Sequence, residues 1–372
     1  MLPIIVNQKF SIERKYIKYL SFLFIIVGTV IIKKILYGYS LTHINLNLIM
    51  GVVIMVLIPH IADNSKENKS LVYAIILAAA LNCALMILEF NQLPIMLSIK
   101  NYLFSMSQMG KNDLHEYSQY VFRYSGVYTS IFGFSYVLAV AAPAIFKRTI
   151  NKDGKHYINL SLLILIFIGL IILAARSALL ATVISIGAIV ITNKRHPFRP
   201  RNVSFIIMLM ICIAGVFYYL AATPNVGFIG QILSGDDVRG KVWGELLKIS
   251  IDNLMWGITI PYENAVTQTK YILAFPGDTI ISPHNSIINI SIRHGVFGLI
   301  AYIYIIVYNA YEYIKIKKKY HTDNEIIIYY IMIFSYLLNS MFHNASIITS
   351  IDLWILFGMK YSYIKNNRYI IH

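Results

Sequence analysis

Ten apolar stretches, each near the length that crosses a bilayer, constrain this chain more than any other feature. A spanning helix needs ~20 mostly apolar residues. Segments at about 17–36, 42–61, 71–90, 126–146, 157–175, 177–193, 203–222, 287–310, 326–342 and 347–364 meet that need. Inside lipid the backbone has no water to bond to, so runs of this length predict helices. The expected fold is an all-α integral membrane protein of about ten transmembrane helices, with residues 1–372 as one polytopic domain. Only 13% of residues are charged and the mean hydropathy is +0.64. A soluble domain carries about 25% charge, so a soluble enzyme on a single anchor is excluded.

The net charge of +15 raises nucleic acid as a partner. The cations argue against it, because they sit in short clusters between apolar runs rather than on one face. With the N-terminus placed in the cytoplasm, 21 of the 32 Lys and Arg fall in the inside segments. Every inside segment then obeys the positive-inside rule. Both termini are expected to be cytoplasmic, and the long loops at about 91–125 and 223–286 extracytoplasmic. The first apolar run follows Lys9, Arg14, Lys15 and Lys18, has no small-residue cleavage pattern, and reads as a retained span. Cys83 and Cys212 lie inside apolar runs without metal-ligand spacing, and read as small packing residues.

The loop 223–286 is the one long polar stretch. It contains Ser234-Gly235-Asp236-Asp237 and an amphipathic piece from about Arg239 to Leu254. Trp243 and Trp256 predict that this piece lies against the membrane surface.

Outside-facing cations run against the topology rule, so each asks for a reason. Arg176 sits between two apolar runs with almost no connection. It is expected to bind an anion at a helix end, where backbone N–H groups add to the positive field; the plainer alternative is snorkelling to headgroups. Arg239 opens the amphipathic piece and suits forked contact with phosphate oxygens, or else pairs with Asp236 or Asp237. Arg123, just before a span, is an anion ligand or an interfacial anchor. Arg293 faces the same site if the eighth span lines a cavity, and otherwise meets a loop carboxylate.

His284, in Pro283-His284-Asn285 at the entrance to that span, is the expected proton acceptor. Its ordinary pKa of ~6.5 suits general-base work at neutral pH. Asn285 and His343 are secondary candidates. The carboxylates Asp236, Asp237, Glu245, Asp252, Glu263 and Asp278 show no metal-cage or paired acid/base spacing, so no metal is expected. Several arginines and a His, without a metal motif, suit group transfer from a lipid-diphosphate donor.

Four blocks together resemble the O-antigen ligase/polymerase family, which holds the Wzy-type polymerases and the lipid A-core ligases. They are Arg123-Tyr-Ser-Gly126-Val-Tyr128; Arg176-Ser177-Ala178-Leu179-Leu180; Arg239-x-x-x-Trp243 with Asn253-Leu254-Met255-Trp256-Gly257; and His284-Asn285 followed, nine residues on, by Gly295-x-x-Gly298. Ser130-Ile131-Phe132 departs from the Asn-Pro-Asn usual after the first block, and Thr259 stands where a second glycine is common. The resemblance covers residues 120–310; the first 110 match only as spans.

The resemblance implies a glycosyltransferase C-like membrane fold and a metal-independent transferase without a cofactor. The donor it implies is a glycan on undecaprenyl diphosphate at the outer face of a bacterial cytoplasmic membrane. Arg176 and Arg239 would bind the diphosphate, with Arg123 and Arg293 as lesser ligands, and His284 would be the base. The reading is a polymerase of O-antigen or capsular polysaccharide that passes a growing glycan to a lipid-linked repeat unit. A chain-length regulator and a flippase are expected partners, beside membrane lipid. The alternatives are an O-antigen ligase acting on lipid A-core, and a lipid-linked glycan flippase or other transporter.

Overall fold

The computed structural model describes residues 14–38, 46–62, 65–105, 124, 126–127, 131–151, 156–173, 175–192, 238–259, 285–319, 324–341 and 350–366. Among them there are eleven helices and no strand. They are α1 (Arg14–Tyr37), α2 (Leu46–Ile61), α3 (Ser65–Phe90), α4 (Pro94–Ser105), α5 (Ile131–Asn151), α6 (His156–Leu173), α7 (Arg176–Thr192), α8 (Val238–Asp252), α9 (Ser286–Lys319), α10 (Asn324–Ser340) and α11 (Ile351–Asn366).

Nine of the ten expected spans fall on a described helix; the tenth, 203–222, lies outside the described residues. By length and composition, the segments Ile17–Tyr37, Glu67–Phe90, His156–Leu173 and Ser286–Ile316 suffice to cross a membrane. Leu46–Ile61, Ser177–Val190 and Glu325–Ser340 are shorter apolar helices. Many helices leave large apolar side chains exposed, among them Phe24, Leu77, Leu81, Ile164 and Ile300. Water would not tolerate that surface over most of the molecule, and lipid would. The chain is thus all-helical and consistent with a multi-pass membrane protein.

α5 sits at the centre because it is apolar nearly all round. Phe134, Tyr136, Leu138–Ala142 and Ala144–Phe146 are all buried. α3, α6, α7 and α10 pack around it, α9 pairs with α1, and α11 lies along α2. Small residues let the helices approach closely. A Cβ on Gly51 would run into the Trp354 indole, and one on Gly169 would run into the Cys83 thiol. Cys83 is buried as a packing residue, as its apolar setting predicts; Cys212 lies outside the described residues.

Two boundaries differ from expectation. The loop 91–125 holds the short helix α4, opened by Pro94, whose fixed φ and missing N–H suit a first helical position. The span expected from 126 begins only at Ile131 and runs on to Asn151. Gly126 and Val127 form a turn instead, because polar side chains of α3 hold their N–H groups. Lys147, Arg148 and Lys360, counted as loop cations from the sequence, are buried within α5 and α11.

Candidate functional site

Asn285 builds the start of α9. Its Oδ1 accepts from the N–H groups of Ile287 (2.9 Å) and Ile288 (3.2 Å), which would otherwise lack partners at a helix start. The Ser286 hydroxyl donates to the carbonyl of Ser340 (2.7 Å), tying this start to the end of α10. His284 lies outside the described residues; in the chain it directly precedes this cap.

Two turns further on, α9 is broken. Gly295 has φ 62° and ψ −158°, a conformation closed to side-chain-bearing residues. The segment after α8 fills the break. Ile258 N–H donates to the Ile292 carbonyl (2.8 Å), and Val296 N–H donates to the Leu254 carbonyl (2.7 Å). Gly257, at φ 77°, lies back to back with Gly295. A Cβ on Gly257 would strike the backbone of Ile292 and Arg293, and one on Gly295 would strike Met255 and Gly257. Trp256 stacks on Phe297 at 4.9 Å. Residues 253–258 therefore stand in for the missing helical bonds, which lipid could not supply.

This graft docks α8 on α9. Ser250 bonds Ser291 through their hydroxyls, and segment 254–258 pairs with 296–292 in the reverse sense, Leu254 with Val296 and Ile258 with Ile292. Leu246, Ile258, Ile288 and Ile292 seal the contact, with Trp243 and Ile249 packed against them. Arg239 is the second residue of α8, and Asn285 caps the start of α9.

The starts of α5 and α7 converge there too. Glu89 accepts from Gly126 N–H (2.8 Å) and Asn82 from Val127 N–H (2.9 Å), which docks the 126–127 turn on α3. Tyr124 meets Phe90 edge-on. Asn339 of α10 donates to Ser135 of α5 (3.2 Å). On α6, Gly169 faces Cys83 and Met86 of α3, so α6 ends on the Glu89 side. α7 starts two residues beyond α6, with Arg176 first, and the Ala175 carbonyl accepts from Leu179 N–H (3.1 Å). The starts of α5, α7 and α9 thus share one end of the bundle. Arg123 and His343 lie outside the described residues.

Arg293 is described fully. It is exposed on α9, and its Nε donates to Asn289 Oδ1 one turn back (2.8 Å). That bond leans the guanidinium toward the start of the helix. No loop carboxylate is its partner in this bond.

Three further groups at this end went unnoticed in the sequence. Lys33 of α1 is buried, and its Nζ donates to the carbonyls of Arg293 (2.8 Å) and Ile258 (3.1 Å). Thr29 donates to the Ile26 carbonyl (2.7 Å) and meets His294 Nδ1 at 2.9 Å. Its single hydroxyl proton is used on Ile26, so His294 must carry its proton on Nδ1. His294 is thereby a buried link between α1 and α9. Glu89 is the third, as the acceptor for Gly126. Only Lys33 carried a signal, being a cation on the side where cations are disfavoured.

Chemically, this end offers helix N-termini, which favour anions, together with the Arg293 guanidinium. Among the described residues, no three His, Cys, Asp or Glu side chains gather as a metal site would require. No curated protein matches the chain. Residues 161–303 match the family model described as O-antigen ligase, which supports the O-antigen ligase/polymerase family over that stretch and, with it, an enzymatic role in polysaccharide processing.

Proposed function

We propose that the protein is a surface-polysaccharide polymerase of the bacterial cytoplasmic membrane. It takes a growing glycan from undecaprenyl diphosphate at the outer face and passes it to the terminal sugar of a lipid-linked repeat unit. The observation that carries this reading is the convergence of helix starts. α5, α7 with Arg176 as its first residue, and α9 with its Asn285 cap all start at one end of the bundle, and Arg239 and His284 are assigned to that end by this reading. A membrane enzyme acting on a lipid diphosphate needs such an end, with positive helix termini and cations facing one pool of substrate.

The step balances simply. The acceptor hydroxyl oxygen attacks the anomeric carbon, and the bond from that carbon to the diphosphate oxygen breaks. The hydroxyl proton passes to His284. The electron pair leaves with undecaprenyl diphosphate, whose charge Arg176 and Arg239 hold, assisted by Arg123 and Arg293. Attack opposite the leaving group inverts the anomeric centre. Positioned charge of this kind stabilises a leaving diphosphate without acid assistance. Asn285 keeps the base at the mouth of α9, and His343 is a second outward-facing His of lesser weight. The polytopic body, with its termini inside and its long loops outside, delivers both lipid-linked substrates to that mouth.

The test is surface-polysaccharide laddering in a deletion strain complemented with wild type, His284→Ala, Arg176→Ala or Arg239→Ala at matched membrane abundance. A ladder with wild type and single repeat units with the variants supports the polymerase. Polymer held on the lipid carrier, with none reaching the lipid core in the deletion strain, identifies a ligase. Variants that ladder like wild type overturn the site and favour a transporter.

A further inference from the structure

We propose that Lys33, on the first helix and outside the family match at 161–303, is a positioning residue that locks α8, the helix that carries Arg239, against α9. The role in transfer rests on the polymerase reading above; the locking itself does not.

The geometry is specific. Gly295 breaks the helix, and segment 253–258 replaces the lost turn through two backbone bonds. Those two bonds join the segment after α8 to the broken helix. Lys33 adds a third fastening that spans the seam. One ammonium donates to Arg293 on the α9 side and to Ile258 on the α8 side. Both carbonyls lie beside the break. A Lys suits this place because its compact head carries three donors on a long apolar stem. The stem runs up α1, which packs along α9. The Thr29–His294 bond, one turn earlier on α1, fixes the register of that packing.

Among the described residues, α8 also meets α9 through the small cluster around Leu246 and the Ser250–Ser291 bond. Loss of the Lys33 strap frees α8 to rock on that cluster. Arg239, near the far end of α8, then moves most. A misplacement of about 1 Å at a binding group is enough to cost on the order of 10²-fold in rate.

The experiment uses the full chain in native membranes, with Cys83 and Cys212 replaced by Ser and the pair Ser250→Cys and Ser291→Cys added. The two hydroxyls touch, so the pair is set for a disulfide on mild oxidation. Lys33→Met keeps the stem and removes the donors; Lys33→Arg keeps a donor at the tip. The expected result is a cross-linking rate at least about 10-fold lower with Lys33→Met, and near normal with Lys33→Arg. Glycan transfer by reduced Lys33→Met falls about 10²-fold, with the KM for the lipid-linked donor raised more than that for the acceptor. Forming the disulfide restores transfer to that of the cross-linked Lys33 protein, and it does not restore His284→Ala.

An unchanged cross-linking rate in Lys33→Met overturns the inference. So does full cross-linking that fails to restore transfer. If cross-linking depends on Lys33 while the wild-type chain transfers no glycan, the strap stands and the polymerase reading falls.

Discussion

The two ends of the bundle treat positive charge differently. Where α5 and α11 finish, buried cations meet carboxylates. Arg148 donates to Glu325 at 3.1 Å and lies over the Tyr73 ring, with Lys69 3.8 Å from the same carboxylate. Lys360, fully buried, bonds Glu312 and Asn309, each at 2.8 Å, with the rings of Tyr330 and Tyr361 around it. Beside the break in α9, Lys33 bonds two backbone carbonyls, and Arg293 bonds an amide oxygen within electrostatic reach of Lys33. Neutral oxygens satisfy N–H groups without cancelling their charge. The first end holds helices together through ion pairs; on the function proposed above, the second turns its cations toward an incoming anion.

The comparison can be broken at either end. The largest expected effect is at the site end. His284→Ala should lower glycan transfer by about 10²–10⁴-fold, the span of general-base contributions, with no loss of membrane abundance. Equal losses of rate and abundance would mean that His284 supports the fold.

Next comes the paired end. Lys360→Ala leaves the partly buried Glu312 without its cation, which costs up to about 3 kcal/mol, the low end for breaking a buried pair. The expected readout is a much lower midpoint in detergent thermal unfolding. Lys360→Met with Glu312→Gln should recover most of that loss, since no unpaired charge remains. Failure of the double variant to recover would show that Lys360 does more than neutralise Glu312.

Gly295→Ala tests the join between the two regions. A side chain there is strained by about 1–3 kcal/mol, because φ 62° with ψ −158° is essentially a glycine-only region, and it also strikes Met255. Transfer should fall about 10-fold or more, and limited proteolysis should cut more readily near 253–258. Normal proteolysis and normal transfer would mean that the graft tolerates displacement.

The smallest effect belongs to Thr29→Val, which removes the acceptor for His294 Nδ1–H. It should cost about 1 kcal/mol, the usual worth of one hydrogen bond plus part of its desolvation. Thermal unfolding would register this as a shift of a few degrees at most, with transfer nearly unchanged.

Apolar length carried most of the fold into view. Nine helices are legible because each falls on an apolar run whose length favours a helix. α8 was legible as an amphipathic piece within a residue or two of its ends. The break at Gly295 and its partner Gly257 were visible as motif glycines, but not their mutual contact, which depends on a fold-back of the chain. Long-range polar pairing was not legible. Arg148 and Glu325 are 177 positions apart, and a cation at a span end looks the same whether it snorkels or pairs. Lys33 was hidden for the same reason. Its partners are backbone carbonyls, which have no signature in side-chain identity.

The most direct test of the account places purified protein in lipid nanodiscs with undecaprenyl-diphosphate-linked repeat units and measures release of undecaprenyl diphosphate. The account predicts one undecaprenyl diphosphate freed for each new glycosidic bond, with release slowed at least about 10²-fold by His284→Ala. Turnover that depends on neither His284 nor Arg239, or the absence of any diphosphate release while proteoliposomes move the lipid-linked unit across the bilayer, would contradict it.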